Sequence, residues 1–273
     1  MPELPEVETV VRSLQGQILN QKIKSIRVFS VKNFIGTPLS VQGQDIIGVD
    51  RRAKYIIINL SQGYLVGHLR MTGKLFAVVK TQGQLEQVVK DFGKHLRVLL
   101  ELEHCYLLFQ DQRKFGFLQT CDSLDWLESK LGCEPLTEQF TLNYLVKICQ
   151  SARQIKALLL DQSKVAGLGN IYVDEVLWQA GIHPQTCANR ITDLQLQVLH
   201  GAIPEILNRS ILAQGTTFLS YTFAGNQEGK FASKLQVFNR AGQPCFRCGT
   251  LIIKMRVAQR GTYVCLLCQN RGR

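Results

Sequence analysis

Apolar residues near the start of the chain recur with the spacing of an amphipathic helix. Within residues 5–16 they fall at i, i+3, i+4 and i+7, at positions Val7, Val10, Val11 and Leu14. Glutamates accompany them in the first turn, where negative charge suits the positive end of the helix dipole. The pattern predicts an N-terminal helix with one buried face.

A different pattern extends from residue 23 to residue 119. Six short runs rich in β-branched and aromatic residues are separated by Gly, Asn or charged positions: IKSIRVF, KYIIINL, YLVGHLRM, KLFAVV, HLRVLLEL and CYLLFQ. Runs of this length with hairpin-sized gaps are typical of antiparallel strands. They predict a β-sandwich or small barrel that carries the N-terminal helix.

Helical spacing returns after a Gly- and Pro-bearing linker that begins near residue 131. Four segments carry an apolar stripe: NYLVKICQ, QIKALLLD, NIYVDEVLWQAG and LQLQVLHGAIPEILNRSIL. The polar stretch 215–236 predicts a mobile loop. We therefore expect an α+β multidomain protein with a β-sandwich domain over 1–130, a helical domain with this loop over 131–230, and a C-terminal module over 231–273.

Charge is unevenly distributed along the 273 residues, whose formal net charge is +11. The C-terminal module contains 8 Lys and Arg residues and no Asp or Glu. A basic segment without acids is typical of proteins that bind a polyanion such as nucleic acid. The hydrophobic content of 45% argues against global disorder. No apolar run approaches the roughly 18 residues that a membrane span requires.

Four of the nine cysteines form two pairs with metal-binding spacing. A two-residue spacer lets both thiolates of a pair bind one ion, and two such pairs complete a tetrahedral zinc site. The start of the chain lacks the basic region of a secretory signal, so we expect an intracellular protein with reduced cysteines. A closed four-thiolate site predicts one structural Zn2+ at the base of a β-hairpin, held by Cys245, Cys248, Cys265 and Cys268.

The N-terminus offers a second chemical signal. Because Met1 precedes the small residue Pro2, we expect its removal, which leaves a secondary amine with an ordinary pKa of about 7.7–8.0. Such an amine condenses with an aldehyde carbon to give a cationic iminium, and neighbouring Glu3 could act as a general acid. The alternative is an ordinary helix start, in which proline and glutamate suit the first turn.

Five motifs resolve this alternative by resemblance. They occur in one order along the chain: MPELPEVET, HLRMTGKL, DQRKFG, LLLDQSKVAGLGNIYVDE and a terminal PC-x2-C…C-x2-CQ. Together they resemble the bacterial formamidopyrimidine-DNA glycosylase family, bifunctional enzymes that excise oxidised purines such as 8-oxoguanine. The resemblance implies a β-sandwich with a helix, a helix–two-turn–helix domain and a zinc hairpin finger, with double-stranded DNA between the lobes. It also implies a monomer in the bacterial cytoplasm, associated with the nucleoid through DNA.

The resemblance assigns a catalytic set. Pro2 is expected to attack C1′ of the damaged nucleotide, and Glu3 to protonate the sugar ring oxygen. The Schiff base then undergoes β- and δ-elimination of the strand. Glu6 matches a second carboxylate near the sugar, Lys54 a lysine close to the lesion, and Arg260 an arginine of the same set that also binds DNA.

Two kinds of DNA contact are also implied. Extruding a base leaves a space in the duplex, and the residues that match the family's insertion set are Met71, Arg113 and Phe115. The residues that match phosphate contacts are His68, Lys156, Asn170 and Arg260.

The chain departs from the family pattern at three places. Cys133 stands where proline is frequent, Gln214-Gly215 replaces a common Gly-Gly, and Leu219-Ser220 replaces a common Arg-Asp. The last two lie beside the loop expected to cover the extruded base, so lesion preference is affected more than reaction type.

Two other functions are compatible with parts of the same sequence. The sister family endonuclease VIII shares the proline chemistry but prefers oxidised pyrimidines, and the ELPEVET start favours the purine enzyme. A catalytically silent zinc-hairpin DNA-binding protein is disfavoured because Pro2, Glu3 and Lys54 are all present.

Overall fold

The computed structural model describes residues 1–80, 85–216 and 230–269, which form two compact units. The first unit contains Met1–Leu127 and the described part of Gln214–Lys230. The second contains Glu128–Ala213 and the described part of Phe231–Arg273. The chain therefore returns to the first unit after most of the second has been built, and the division at 130/131 and 230/231 stays a prediction.

Two β-sheets and three helices build the first unit. Its helices are α1 (Leu4–Ile18), α2 (Leu85–Phe92) and α3 (Asp125–Glu128), the last ending at the unit boundary. Its strands are β1 (Ser25–Val28), β2 (Phe34–Ile35), β3 (Ile46–Arg52), β4 (Tyr55–Leu60), β5 (Tyr64–His68), β6 (Gly73–Val79), β7 (Leu96–Glu101), β8 (Cys105–Asp111) and β9 (Phe117–Cys121). One sheet has the order β1-β7-β8-β6 and the other the order β2-β9-β5-β4-β3. All neighbours are antiparallel except β2 and β9.

The core of this unit lies between the two sheets and α1. The apolar face of α1 expected from the sequence is buried against branched residues of both sheets. Ile56 and Leu65 contribute from one sheet, and Leu107 and Phe109 from the other. Burial of this face fixes the helix, and with it the position of the first residues of the chain.

Four helices and a hairpin form the second unit. The helices are α4 (Leu142–Cys149), α5 (Ile155–Leu159), α6 (Asn170–Gln179) and α7 (Asp193–Leu212), and the hairpin is β10 (Ile253–Val257) with β11 (Arg260–Val264). Residues 171–178 of α6 are all buried, so α6 is the central helix. A small apolar cluster joins Trp178 at its end to hairpin residues Ile252 and Tyr263.

The predicted fold class is confirmed: an α+β chain with a β-sandwich, a helical domain and a four-cysteine hairpin. Five elements were not predicted individually, namely α2, α3, β2, β3 and β9. Most of the expected mobile loop, together with Leu219 and Ser220, falls on 217–229, outside the described residues. The end of that stretch differs from the prediction, because Phe231–Lys234 forms a 3-10 turn with Phe231 buried. Across the described residues, no helix has the length and apolarity of a membrane span.

Candidate active site and nucleic-acid interface

The N-terminal residues are held by the start of α1. Pro2, Glu3 and Glu6 are buried, whereas Met1 is 47% exposed. The backbone N–H of Glu3 donates to Oε2 of Glu6 at 2.9 Å, part of a capping box at the helix N-terminus. Two carboxylates therefore lie within one helical turn of Pro2, in a site largely closed to solvent.

The other oxygen of Glu6 holds a distant segment. Its Oε1 accepts hydrogen bonds from the backbone N–H and the hydroxyl of Thr216, at 2.8 and 2.9 Å. The approach requires an unusual backbone: Gln214 and Gly215 both have left-handed φ, and a Cβ on Gly215 would lie 3.0 Å from Oε1. Gln214 thus has the left-handed backbone conformation that suits glycine, the residue common at this position in the family pattern.

Lys54 lies in the two-residue connection between β3 and β4. The preceding Ala53 has a left-handed φ of 52°, and Lys54 is only 6% exposed. The next residue, Tyr55, pairs with His68 across β4 and β5, and their ring centroids are 4.5 Å apart. The sheet register therefore brings Lys54 close enough to His68 for its charge to act on the ring.

His68 is a neutral histidine with a defined tautomer. Burial lowers its pKa to about 3, and the positive charges of Arg70 and Lys54 act in the same direction. The backbone N–H of Arg70 donates to Nδ1 at 3.0 Å, so the ring proton resides on Nε2. His68 can therefore donate one hydrogen bond to a phosphate oxygen without adding a positive charge.

The three expected insertion residues occupy two loops at one end of the sandwich. Met71 lies between β5 and β6 and is 37% exposed; Phe115 lies between β8 and β9 and is 56% exposed. Arg113 is exposed, and its guanidinium lies 4.8 Å from the centroid of the Phe115 ring. An exposed thioether, an aromatic ring and a guanidinium are thus presented together, which suits contact with stacked bases.

In the second unit, Asn170 and the hairpin are joined directly. Asn170 begins α6 after a glycine-bearing turn, and its Nδ2 donates to the carbonyl of Gly261 at 2.9 Å. Arg260, next to Gly261, is exposed at the start of β11 after a two-residue turn. The expected phosphate-binding pair is therefore adjacent, and a helix N-terminus favours an anion at this point.

Lys156 is buried in an ion pair. Its side chain is 0% exposed, and Nζ lies 2.6 Å from Oδ1 of Asp174, which is also buried. The other oxygen, Oδ2, accepts from the backbone N–H of Tyr263 at 3.0 Å. Burial raises the pKa of Asp174, and the ammonium of Lys156 acts in the opposite direction. Lys156 is therefore an internal ion-pair partner that ties α5, α6 and the hairpin together, and its contact with phosphate stays a prediction.

The four hairpin cysteines fit a zinc ion. All four Sγ atoms lie within 4.8 Å of one another, with 3.8 Å between Cys245 and Cys268 and 3.4 Å between Cys248 and Cys265. Tetrahedral zinc with bonds near 2.3 Å holds its sulfurs about 3.8 Å apart. Burial and the neighbouring sulfurs raise the pKa of Cys268, as expected where clustered thiolates need a cation. The site is closed by protein ligands and is therefore structural.

Family models match most of the chain. Residues 1–118 match the formamidopyrimidine-DNA glycosylase N-terminal domain, and residues 131–221 match the H2TH domain of the same enzymes. Residues 242–271 match a zinc finger found in FPG and IleRS. The chain belongs to the formamidopyrimidine-DNA glycosylase family. The predicted family and the four-cysteine zinc finger are confirmed.

Relatives of this family match over nearly the full length. The formamidopyrimidine-DNA glycosylase of Pelotomaculum thermopropionicum is 42% identical over 282 residues, covering 99% of both chains. That of Desulfitobacterium hafniense is 38% identical, covering 98% of this chain and 100% of the relative. A Lactococcus lactis FPG mutant in complex with Fapy-dG containing DNA superimposes with a TM-score of 0.88 at 37% identity, over 98% of this chain and 100% of that one. The L. lactis Fpg complex with abasic site containing DNA gives a TM-score of 0.87, over 98% and 99%.

Three residues with site contacts were missed in the sequence. Thr216 bonds Glu6, Asp174 bonds Lys156, and Asp111 bonds the loops that carry the insertion residues. Asp111 and Asp174 did carry a signal, since each is an acid within a formamidopyrimidine-DNA glycosylase motif, DQRKFG and NIYVDE. The motifs mark these acids as significant, but the sequence does not show that they are buried or which residues they bond.

Proposed function

We propose that this chain is a bifunctional DNA glycosylase and AP lyase that excises oxidised purines and then cleaves the strand. The observation that carries the proposal is the N-terminal site: Pro2 at the start of α1, with the buried carboxylates of Glu3 and Glu6 within one turn. Family membership supports the same chemistry. Removal of Met1, which is 47% exposed, frees the Pro2 nitrogen as a secondary amine.

The reaction begins when the Pro2 nitrogen attacks C1′ of the extruded nucleotide. The bond from C1′ to the damaged base breaks, and the base leaves with the proton that the attacking Pro2 nitrogen loses. Glu3 then gives a proton to the sugar ring oxygen as the ring opens to the iminium. The resulting iminium is a cationic electron sink, so a C2′ proton becomes acidic. Loss of that proton expels the 3′ phosphate, and a second elimination expels the 5′ phosphate. The strand is left with a one-nucleoside gap flanked by phosphates.

DNA binding uses residues of both units in this proposal. Lys54 lies close to the lesion and its phosphate, and His68 donates Nε2–H to a phosphate oxygen. Asn170 and Arg260 bind the phosphates flanking the lesion. The exposed Met71, Arg113 and Phe115 fill the space left by the extruded base, with Arg113 bonding the orphaned cytosine. Zinc contributes structure alone, by fixing the hairpin that presents Arg260.

The cellular setting follows from this activity. The substrate is double-stranded DNA that contains oxidised bases, so the protein acts in the bacterial cytoplasm at the nucleoid. Because one chain supplies both the proposed nucleophile and the phosphate-binding pair, it acts as a monomer.

Borohydride trapping on duplex DNA with 8-oxoguanine or an abasic site tests the proposal. The wild-type protein is expected to form a covalent adduct through Pro2 and to lack Met1 by mass spectrometry. Pro2→Gly is expected to lose most strand incision while keeping damaged-duplex affinity, because the secondary amine is gone. The control Pro38→Gly changes a proline of a 3-10 turn and should retain full incision. Full activity in a protein that retains Met1, or release of thymine glycol in preference to 8-oxoguanine, would contradict the assignment.

A further inference from the structure

The topology of the sandwich places the two insertion loops side by side. The loop 69–72 leads from β5 in one sheet to β6 in the other, and the loop 112–116 leads back from β8 to β9. In one sheet β5 pairs with β9, with His68 opposite Phe117. In the other, β6 pairs with β8, with Gly73 opposite Asp111. Both ends of each loop are therefore fixed next to the ends of its neighbour.

A single buried carboxylate bonds both loops. Asp111 is 0% exposed, and its Oδ1 accepts from the hydroxyl of Thr72 and, at 3.1 Å, from the backbone N–H of Arg113. Its Oδ2 accepts from the backbone N–H of Gly116 at 2.7 Å. Thr72 also accepts from the N–H of Arg113 at 3.1 Å. Through Asp111, Thr72 is therefore connected to backbone amides on both sides of Phe115.

The loops adopt conformations that need such support. Arg70 and Lys114 have left-handed φ values of 52° and 58°, which cost about 1 kcal/mol or more for residues with a Cβ. Gly116 fits where a Cβ would lie 2.9 Å from the carbonyl oxygen of His68. The three donors to Asp111 are a hydroxyl and two backbone amides, so the carboxylate fixes the backbone of the second loop itself.

We propose that Asp111 is the positioning residue for base extrusion: it holds Met71, Arg113 and Phe115 as one insertion surface. This inference rests on the proposed function. Asp111 itself lies inside the fold and acts through the loops that it joins. A misplacement of about 1 Å in such groups lowers rate up to about 100-fold, so the spacing between the two loops controls extrusion and recognition of the opposite base.

The alternative is a purely structural role, in which Asp111 only stabilises the sandwich. The two roles differ in their substrate dependence. An abasic site has no base to extrude, so its cleavage depends less on insertion than removal of a paired damaged base does. A structural role predicts equal losses on both substrates, in proportion to the unfolded fraction.

The experiment compares Asp111→Asn with Asp122→Asn, an exposed carboxylate just after β9. Single-turnover rates are measured on duplexes with 8-oxoguanine and with a preformed abasic site, together with the melting temperature. Asp111→Asn is expected to lose about 10- to 100-fold on 8-oxoguanine and less than about threefold on the abasic site. Its preference for cytosine over adenine opposite the lesion should also fall. Asp122→Asn should resemble the wild type on every substrate.

A second pair of variants covers the case in which Asp111→Asn does not fold. Thr72→Val removes the hydroxyl donor with little change of volume, and Thr72→Ser retains it. Thr72→Val should also lose rate selectively on 8-oxoguanine, but by a smaller factor than Asp111→Asn. Thr72→Ser should have nearly the wild-type rate on both substrates. Equal losses on both substrates, or equal behaviour of Val and Ser, would overturn the inference. If the wild type forms no borohydride adduct on abasic DNA, the proposed function fails; if it does and the variants show no selective loss, this inference alone fails.

Discussion

Asp111 in the first unit and Asp174 in the second are both almost completely buried, at 0% and 1% exposure, yet their partners differ. Asp111 accepts from a hydroxyl and two backbone amides within the insertion loops. Asp174 holds the buried ammonium of Lys156 and one hairpin amide. Backbone donors fix the local path of a loop, whereas an ion pair between long side chains holds elements together. The first arrangement suits precise display of side chains, and the second suits a rigid junction.

Zinc removal is expected to have the largest effect on the second unit, in which α5, α6 and the hairpin are joined. The apparent binding free energy of a structural zinc is roughly 10–16 kcal/mol, and three thiolates cannot close the site. Chelation or Cys248→Ser should therefore abolish duplex binding while the amides of α1 keep their protection from hydrogen exchange. Cys187→Ser, a half-buried cysteine outside the zinc site, is the control and should bind normally. Unchanged affinity in metal-free protein would contradict this expectation.

Breaking the ion pair should have the next largest effect. Lys156→Met leaves Asp174 buried without its cation, which typically destabilises by about 3–5 kcal/mol. Adding Asp174→Asn should recover most of this loss, because no uncompensated charge remains. Arg153→Met, which breaks the partly exposed pair with Asp161, should cost less than about 1 kcal/mol. Urea unfolding measures all three, and a Lys156→Met loss as small as the Arg153→Met loss would show that the junction does not depend on the pair.

Arginines from the two regions should affect DNA binding differently. Arg260→Ala should weaken binding to every duplex and reduce the salt slope by about one ion, since a phosphate contact carries no sequence information. Arg113→Ala should change discrimination of the opposite base, a contact worth roughly 1–3 kcal/mol, with a smaller change of slope. Affinity is measured against salt with cytosine or adenine opposite the lesion. Identical slopes and base profiles for both variants would refute separate roles.

Near neutral pH, the smallest expected effect is an acid sensitivity of the first unit. His68 has a pKa of about 3 when folded against an ordinary value of 6.5, so below pH 6.5 the unfolded chain binds a proton that the folded chain does not. The free energy of unfolding should therefore decrease as the pH is lowered from 6.5 to 3, by at most roughly 1.4 kcal/mol per pH unit. His68→Gln should reduce this dependence, and the exposed His104→Gln should not. Parallel pH profiles for all three proteins would rule out a neutral buried His68.

Regular spacing explains what could be predicted from the sequence. The stripe of Val7 and Leu14 became the buried face of α1, and the two C-x2-C pairs brought their sulfurs within reach of one ion. Strand β3 was missed because its sequence, IIGVDRR, combines few apolar residues with glycine and three charges. A periodic apolar pattern predicts an element only where one of its faces is buried. Strand β3 lies at the edge of its sheet and is only partly buried, so its sequence lacks a clear pattern.

Contacts between distant residues explain what could not be predicted. Lys156 and Asp174 are 18 residues apart on two helices, and neither helix pattern marks its charged residue as buried. The family motif identifies Lys156 as significant but not whether it faces DNA or the interior. Arg113 and Phe115 were identified from the motif DQRKFG, whereas the bond from Asp111 to Thr72 depends on the register of β6 with β8. Such register is set by the whole sandwich rather than by local sequence.

Glu6 leaves the ribosome 210 residues before Thr216, which donates two of its hydrogen bonds. At synthesis rates of roughly 5–20 residues per second, the interval between them is roughly 10–40 s. During that time α1 and the strands of the sandwich can form, but the hydrogen bonds from Thr216 to the carboxylate of Glu6 cannot. The N-terminus is therefore the first segment to be synthesised and among the last to reach its final geometry. A nascent chain acquires that geometry only after Asn170 and the rest of α6 have been made.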